Sequence, residues 1–136
     1  MSRIINLNNI SNLPNFKNCK ALAFTGINDT SIHRIFKEIK VKPVNFNAEI
    51  VFFKNNDKNF NYYSLGSLEL FPNVKQVYMD GHPAEYYPLR LIPKNCTYKT
   101  THTTSHYYES GEQKDLHVIS QEDMDNIYNK IFVEEN

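Results

Sequence analysis

The chain has 136 residues, of which 40% are hydrophobic and 22% are charged, and its 15 basic and 15 acidic residues give a formal net charge of zero. This length and apolar content predict a single folded domain, residues 1–136, and exclude wholesale disorder. A neutral chain has no overall basic field, so we expect neither nucleic acid nor a membrane as a partner.

The residues from Met1 to Asn9 lack the apolar segment of a secretory signal, and no stretch reaches the roughly 18 consecutive apolar residues of a membrane span. Two cysteines, Cys19 and Cys96, are expected to be reduced thiols, with Cys19 a buried core residue rather than a nucleophile. Together these features predict a cytoplasmic protein.

The first predicted elements are an N-terminal cap over residues 1–16 and a short strand over Lys20–Thr25. In the cap, apolar residues recur at three-residue steps between asparagines, which favours extended or 3₁₀-like turns. These apolar residues are Ile4, Leu7, Ile10, Leu13 and Phe16. A helix is predicted next, because Ile32, Ile35, Phe36 and Ile39 line one face and Pro43 prevents its continuation.

Two further strands are predicted at Glu49–Phe53 and Lys75–Met79, and Thr97–Tyr108 has strand propensity. Leu116–Ile119 is predicted as one more strand, with a hairpin as one way of pairing it. In the C-terminal cap, residues 105–136, Ser120 and Asp123 resemble the start of a capped helix over 121–132.

One apolar register occurs twice, 55 residues apart: Leu13-x-x-Phe16-x-x-Cys19-x-x-Leu22-x-Phe24 and Leu68-x-x-Phe71-x-x-Val74-x-x-Val77-x-Met79. Weaker copies begin at Val41 and at Leu89. The equivalent positions of the four copies follow one another at 28, 27 and 21 residues and are Leu22, Ile50, Val77 and Tyr98. Self-similarity at such a period is typical of repeat proteins.

The register resembles the leucine-rich-repeat family over residues 10–103, with three to four units in residues 17–104. The resemblance implies an α/β solenoid with parallel strands in sequential order, whose inward pairs are Leu22/Phe24, Ile50/Phe52 and Val77/Met79. It also implies a ladder asparagine after each strand, which only Asn55 supplies. A compact three-layer α/β sheet remains the alternative.

If those pairs point inward, alternation places their strand neighbours outward, where they form an aromatic centre with a polar rim. The partner-binding residues predicted in this way are Val51, Phe53, Tyr78, Asp80 and Lys99. Coverage of the same face by the C-terminal segment, or by a second copy of the chain, is an equal alternative.

We therefore expect a non-enzymatic protein–protein interaction module without a cofactor, binding a protein partner through its strand face, with self-association as a further expectation. One alternative is a structural component of a large assembly such as a viral particle. Another is a metal-binding or metal-assisted hydrolytic domain that uses His82, His102 and His106, since imidazoles are common metal ligands.

Overall fold

The computed structural model describes residues 1–6, 8, 10–25, 46–54, 71–80, 96–101 and 115–134. These residues contain six strands: β1 (Ser2–Ile5), β2 (Ala21–Thr25), β3 (Ile50–Lys54), β4 (Gln76–Asp80), β5 (Thr97–Thr100) and β6 (Asp115–Val118). A 3₁₀ helix spans Ile10–Phe16, and the helix α1 (Gln121–Tyr128) continues as a π-helical segment, Asn129–Glu134. The helix predicted around Ile32 lies outside the described residues.

The six strands form one sheet in the order β1-β2-β3-β4-β5-β6, and every neighbouring pair is parallel. The predicted sequential order is therefore confirmed, and a doubly wound sheet, in which the strand order is scrambled, is excluded. The strand Ser2–Ile5 and the 3₁₀ helix Ile10–Phe16 agree with the extended and 3₁₀-like conformations expected of the N-terminal cap, although the strand was not expected to join the sheet. The strand expected near Leu116 is present as β6, and it pairs with β5 in parallel rather than as a hairpin.

The strand register divides the sheet into two faces. The first, called here the Leu22 face, carries a row of paired residues: Leu22, Val51, Val77 and Tyr98. The second, called here the Phe52 face, carries the neighbouring row: Ala23, Phe52, Tyr78, Lys99 and His117.

The predicted side-chain phase of β3 was wrong by one residue. Leu22 pairs with Val51 and not with Ile50, so Val51 and Phe53 lie on the Leu22 face. Ile50 and Phe52, predicted to share a face with Leu22, lie on the opposite one. Phe52 is nevertheless fully buried, as predicted, but in the core of the opposite face of the sheet. Ile50 is half-buried.

Aromatic packing holds the core of the Leu22 face together. Phe24 and Phe53 stack across β2 and β3 with ring centroids 5.5 Å apart. Phe71 contacts Phe24 edge-on at 6.4 Å, and Phe46 lies 5.2 Å from Phe71. All four rings are buried, and burial of a large apolar side chain is worth about 1.5–3 kcal/mol.

The C-terminal helix lies across the Phe52 face from β4 to β1. At its start Gln121 contacts Asp80 of β4, and near its end the Ile131 carbonyl accepts a 2.9 Å hydrogen bond from the Ser2 hydroxyl of β1. At the rise of an α-helix, the ten steps from Gln121 to Ile131 would span about 15 Å, and slightly less because the last three residues are π-helical. This length is close to the roughly 14 Å spanned by three strand spacings. Helix length and sheet width therefore match.

On the Phe52 face, the side chains are apolar under the helix and polar beyond it. Under the helix the row is apolar, with Ala23, Phe52 and Tyr78 packed against Met124, Tyr128 and Phe132 in one buried cluster. Beyond the start of the helix the same row becomes polar, with Lys99 half-buried and His117 exposed. The helix thus covers the part of this row that is apolar.

No helix among the described residues is long and apolar enough to cross a membrane.

Candidate functional site

Four of the five residues predicted to bind a partner are buried. Val51 and Phe53 are 0% exposed, Tyr78 is 3% exposed and Asp80 is 4% exposed, whereas Lys99 is half-buried. The prediction that these four side chains are exposed is therefore wrong. The reason differs between the two faces of the sheet. Val51 and Phe53 belong to the core of the Leu22 face, while Tyr78 lies under the C-terminal helix, as the alternative of self-coverage predicted.

Asp80 belongs to a polar cluster that joins the helix to the sheet. The Lys54 ammonium lies 3.4 Å from carboxylate oxygens of both Asp80 and Asp125. The Gln121 side-chain amide donates to the same two carboxylates at 3.0 Å, and Lys54 also sits 4.5 Å above the ring of Tyr128. The hydrogen bond from Gln121, with a further contribution from Lys54, lowers the pKa of Asp125. All these contacts are internal, so we assign the cluster a structural role.

Lys99 packs beside this covered region. Its ammonium lies 5.7 Å from the centre of the Tyr78 ring, within the range of a cation–π interaction. The Tyr78 hydroxyl donates a hydrogen bond to the Gln76 side-chain oxygen, and burial raises the pKa of this phenol. These contacts order Lys99 at the border between the covered and the exposed parts of the Phe52 face.

Two further predictions concern a metal site formed by three histidines and the state of the two cysteines. His82, His102 and His106 lie outside the described residues. Within the described part of the chain, no group of three His, Cys, Asp or Glu side chains is placed to hold a metal ion. Neither Cys19 nor Cys96 forms a disulfide, and Cys19 is buried, as expected of a core position. Cys96 is buried as well, which was not predicted.

A regular polar surface lies at the other end of the strands, where each strand begins. The residue before each of β2, β3 and β4 donates a backbone hydrogen bond to the residue before the preceding strand. The Lys20 amide donates to the Met1 carbonyl at 2.9 Å, and Glu49 donates to Lys20 at 2.8 Å. Lys75 then donates to Glu49 at 2.8 Å. Lys20, Glu49 and Lys75 are thus equivalent positions on successive strands.

Two residues earlier, each of these three positions is preceded by an exposed asparagine. The Asn47 side-chain nitrogen donates to the Asn18 side-chain oxygen at 3.0 Å, and Asn73 occupies the equivalent position on the next strand. We call this surface the strand-start rim. It consists of Asn18, Lys20, Asn47, Glu49, Asn73 and Lys75.

The charges of the strand-start rim alternate along successive strands as positive, negative and positive. The Lys75 ammonium lies 3.0 Å from the Glu49 carboxylate. Its hydrogen bond, followed by the charges of Lys75 and Lys20, lowers the pKa of Glu49. Lys20 makes no ion pair with any described residue, so the rim has a local charge of +1 centred towards Lys20.

Two clefts meet at Lys20. The larger, about 350 Å³, is polar and is lined by Lys20, Asn47, Glu49, Pro72, Asn73, Val74 and Lys75. The smaller, about 250 Å³, lies between the strand starts and the C-terminal helix and is lined by Met1, Ser2, Lys20, Ala21, Ile50 and Ile131. A polar cleft beside a more apolar one is a common arrangement for recognition of a partner's side chains.

The sequence prediction missed the strand-start rim, although the sequence contains a signal for it. The triplets Asn18-Cys19-Lys20, Asn47-Ala48-Glu49 and Asn73-Val74-Lys75 share one pattern, an asparagine, a buried apolar residue and a charged residue. They recur at 29 and 26 residues, which are the spacings of the true strand register.

Neither the curated proteins nor the solved structures include a significant match to the chain. One family model does match, over residues 30–109, and its description is Family of unknown function (DUF5845). The match includes β3, β4, β5 and four of the six rim residues, while Asn18 and Lys20 precede it. Because the match covers more than half of the chain, the protein belongs to the Family of unknown function (DUF5845).

Proposed function

We propose that this domain is a non-catalytic protein–protein interaction module, built as a short solenoid, that binds its partner through the strand-start rim. The observation that carries the proposal is the recurrence, before three successive strands, of one triplet with an exposed asparagine, a buried apolar residue and a charged residue. Repeat proteins characteristically bind through surfaces built by equivalent residues of stacked units.

The solenoid architecture is supported by local structure that repeats together with the sequence. The Cys19 amide donates to the Phe16 carbonyl at 3.1 Å, and the Val74 amide donates to the Phe71 carbonyl at the same distance. These two turns belong to the two sequence copies that are 55 residues apart. Equal sequence spacing thus produces equal turns before β2 and β4, as stacked repeats require.

The resemblance to leucine-rich repeats extends to the short parallel strand and its apolar pairs, but the asparagines differ in position. In that family the ladder asparagine follows the strand, whereas the row of Asn18, Asn47 and Asn73 precedes it. We propose a divergent solenoid whose exposed asparagines face a partner. Each side-chain amide offers both donors and an acceptor, which suits pairing with a partner's peptide groups.

The rim is favoured over the strand face because of access. The Phe52 face is occupied by the chain's own helix, and removing that helix would expose Phe52, Tyr78 and their apolar neighbours. The three asparagines, Lys20 and Lys75 are exposed without any rearrangement. Binding at the rim therefore carries no unfolding cost, in contrast to binding at the covered face.

The test is a selection of random peptides displayed on phage against the wild-type domain and a variant with Asn18, Asn47 and Asn73 changed to alanine. Because all three side chains are exposed, the variant should keep its circular dichroism and melting temperature. We expect enriched peptides that bind the wild type and lose at least about tenfold in affinity for the variant, the equivalent of 1.4 kcal/mol.

A matched control replaces three exposed asparagines elsewhere, Asn15, Asn126 and Asn129, by alanine. Selected peptides should bind this control as they bind the wild type. A selection that enriches nothing, or peptides that bind the rim variant with unchanged affinity, would show that the proposal is wrong.

A further inference from the structure

Lys20 is the point at which the polar and the apolar cleft meet, and it lines both. We infer, building on the proposed function, that the partner segment is an extended peptide carrying an acidic side chain close to an apolar one. The carboxylate would lie at Lys20 on the rim, and the apolar side chain would enter the smaller cleft beside it.

The charge of the rim selects the acidic side chain. Glu49 is already neutralised by Lys75 at 3.0 Å, while Lys20 has no carboxylate partner among the described residues. Lys75 keeps 70% of its side chain exposed despite its ion pair. An incoming carboxylate therefore meets the Lys20 ammonium, which forms no ion pair within the described part of the chain, and a second, accessible ammonium two strands away, at roughly 10 Å. Opposite charges at such a rim provide specificity and a faster association.

The smaller cleft selects the apolar side chain. Its walls include Ala21 and Ile50 of adjacent strands and Ile131 from the helix that covers the sheet. Met1, which is 77% exposed, lies at the same cleft. The smaller cleft is therefore an apolar surface beside the charged Lys20. Burying an aliphatic side chain in this cleft removes apolar area of both the domain and the peptide from water.

Because both clefts are lined by Lys20, a single extended peptide segment can occupy both of them. In an extended chain, side chains two residues apart point to the same side and are separated by about 6.8 Å. The asparagine amides beside Lys20 are placed to hydrogen-bond the backbone of such a segment. A leucine and a glutamate separated by one or two residues fit this description.

The experiment measures fluorescence polarisation of labelled peptides of Gly and Ser that carry one Leu and one Glu at separations of two, three or four positions. Each peptide has partners in which Glu is replaced by Gln or Lys, or Leu by Asn. Because these changes are made in the peptide, they cannot unfold the protein. We expect the Leu and Glu peptide of the best spacing to bind about tenfold more tightly than each of its partners.

The protein variant Lys20→Glu should weaken the acidic peptide by about tenfold or more and should strengthen the peptide in which Glu is replaced by Lys. Lys130→Glu is the control, since it makes the same change in net charge at an exposed residue that lines neither cleft. Its effect on either peptide should remain below about twofold.

Equal binding of the Glu, Gln and Lys peptides, or an unchanged affinity in Lys20→Glu, would overturn the inference. So would tighter binding of single-stranded oligothymidylate than of the acidic peptide, because the rim would then recognise phosphates. These outcomes are distinct from failure of the proposed function. If the phage selection yields rim-dependent peptides without an acidic residue, the interaction module stands and only the partner chemistry is wrong.

Discussion

Phe52 stacks on Tyr78 across β3 and β4, with ring centroids 5.1 Å apart and an interplanar angle of 17°. The next residue, Phe53, stacks on Phe24 at 5.5 Å on the opposite face of the sheet. Adjacent aromatic residues therefore belong to two separate cores. One core lies on the Leu22 face and the other lies beneath the C-terminal helix, so the sheet is covered on both faces in this region.

The second core depends on Phe132. Its side chain is 2% exposed and contacts the Phe52 ring edge-on, with centroids 5.9 Å apart. We expect Phe132→Ala to lower the free energy of unfolding by roughly 3–5 kcal/mol, measured by urea denaturation, because a cavity forms between helix and sheet. The adjacent Val133 is 55% exposed, and Val133→Ala should change stability by no more than about 0.5 kcal/mol. Equal effects of the two substitutions would mean that the helix does not pack in this way.

The order of the strands could be predicted from the sequence because spaced apolar residues mark each repeat. Leu22 and Val77 lie at the same position in two nearly identical copies, and the structure places both in one buried row. Parallel pairing follows because each copy leads into its strand in the same direction. This information is local and is repeated within the one chain, so a single sequence contains it.

The phase of β3 could not be predicted, because Ile50-Val51-Phe52-Phe53 is apolar at every position. Alternation between polar and apolar residues identifies the buried face only where the other face meets water. Here the helix covers that other face, so both sets of side chains are apolar. The predicted binding residues Val51 and Phe53 came from this ambiguous strand.

The strand-start rim was missed for the opposite reason. Exposed side chains leave no hydrophobic pattern, and three of the chain's 18 asparagines do not stand out by lying at equivalent positions. Their equivalence becomes visible only once the register aligns Lys20, Glu49 and Lys75. The helix cap, in contrast, depends on a few adjacent residues and was predicted correctly.

The ion pair between Lys54 and Asp80 should be important for stability because Asp80 is nearly buried. Among the residues that the structure describes, Lys54→Met would leave this carboxylate with the hydrogen bond from Gln121 alone, and we expect a loss of about 3 kcal/mol. The double variant Lys54→Met/Asp80→Leu should recover part of that loss, with a coupling energy of about 1–3 kcal/mol in a double-mutant cycle.

Asp125 provides the comparison, since it meets the same ammonium at the same distance but 47% of its side chain is exposed. Asp125→Asn should therefore lower the free energy of unfolding by much less than Lys54→Met does, because water screens an exposed pair. If Asp125→Asn is as destabilising as Lys54→Met, burial of Asp80 is not what makes the cluster sensitive.

Ser120 begins the covering helix, and its side-chain oxygen accepts a 3.0 Å hydrogen bond from the Asp123 amide. Its backbone is extended, with φ −71° and ψ 159°, as N-cap residues are. Ser120→Ala should therefore lower the free energy of unfolding by about 1 kcal/mol. Ser120→Asp keeps an acceptor at this position and should remain close to the wild type in the same denaturation experiment. An alanine variant as stable as the aspartate variant would contradict the role of the cap.

The two tyrosines of the second core should make the fold sensitive to alkali. Burial raises the pKa of Tyr78 and of Tyr128 above the ordinary value of 10.0, and for Tyr128 the charge of Lys54 partly opposes this effect. A group whose pKa is higher in the folded state binds its proton more tightly there. Its contribution is therefore fully present below the unfolded pKa and is lost as pH rises through the folded value.

We therefore expect the free energy of unfolding, measured by urea denaturation in steps from pH 8 to pH 11, to fall above about pH 10. Tyr128→Phe removes one titrating phenol while keeping the ring that contacts Phe52 at 5.2 Å, so its stability should fall less steeply over the same range. If Tyr128→Phe shows the wild-type slope, the alkaline loss arises elsewhere and the phenol does not titrate with unfolding.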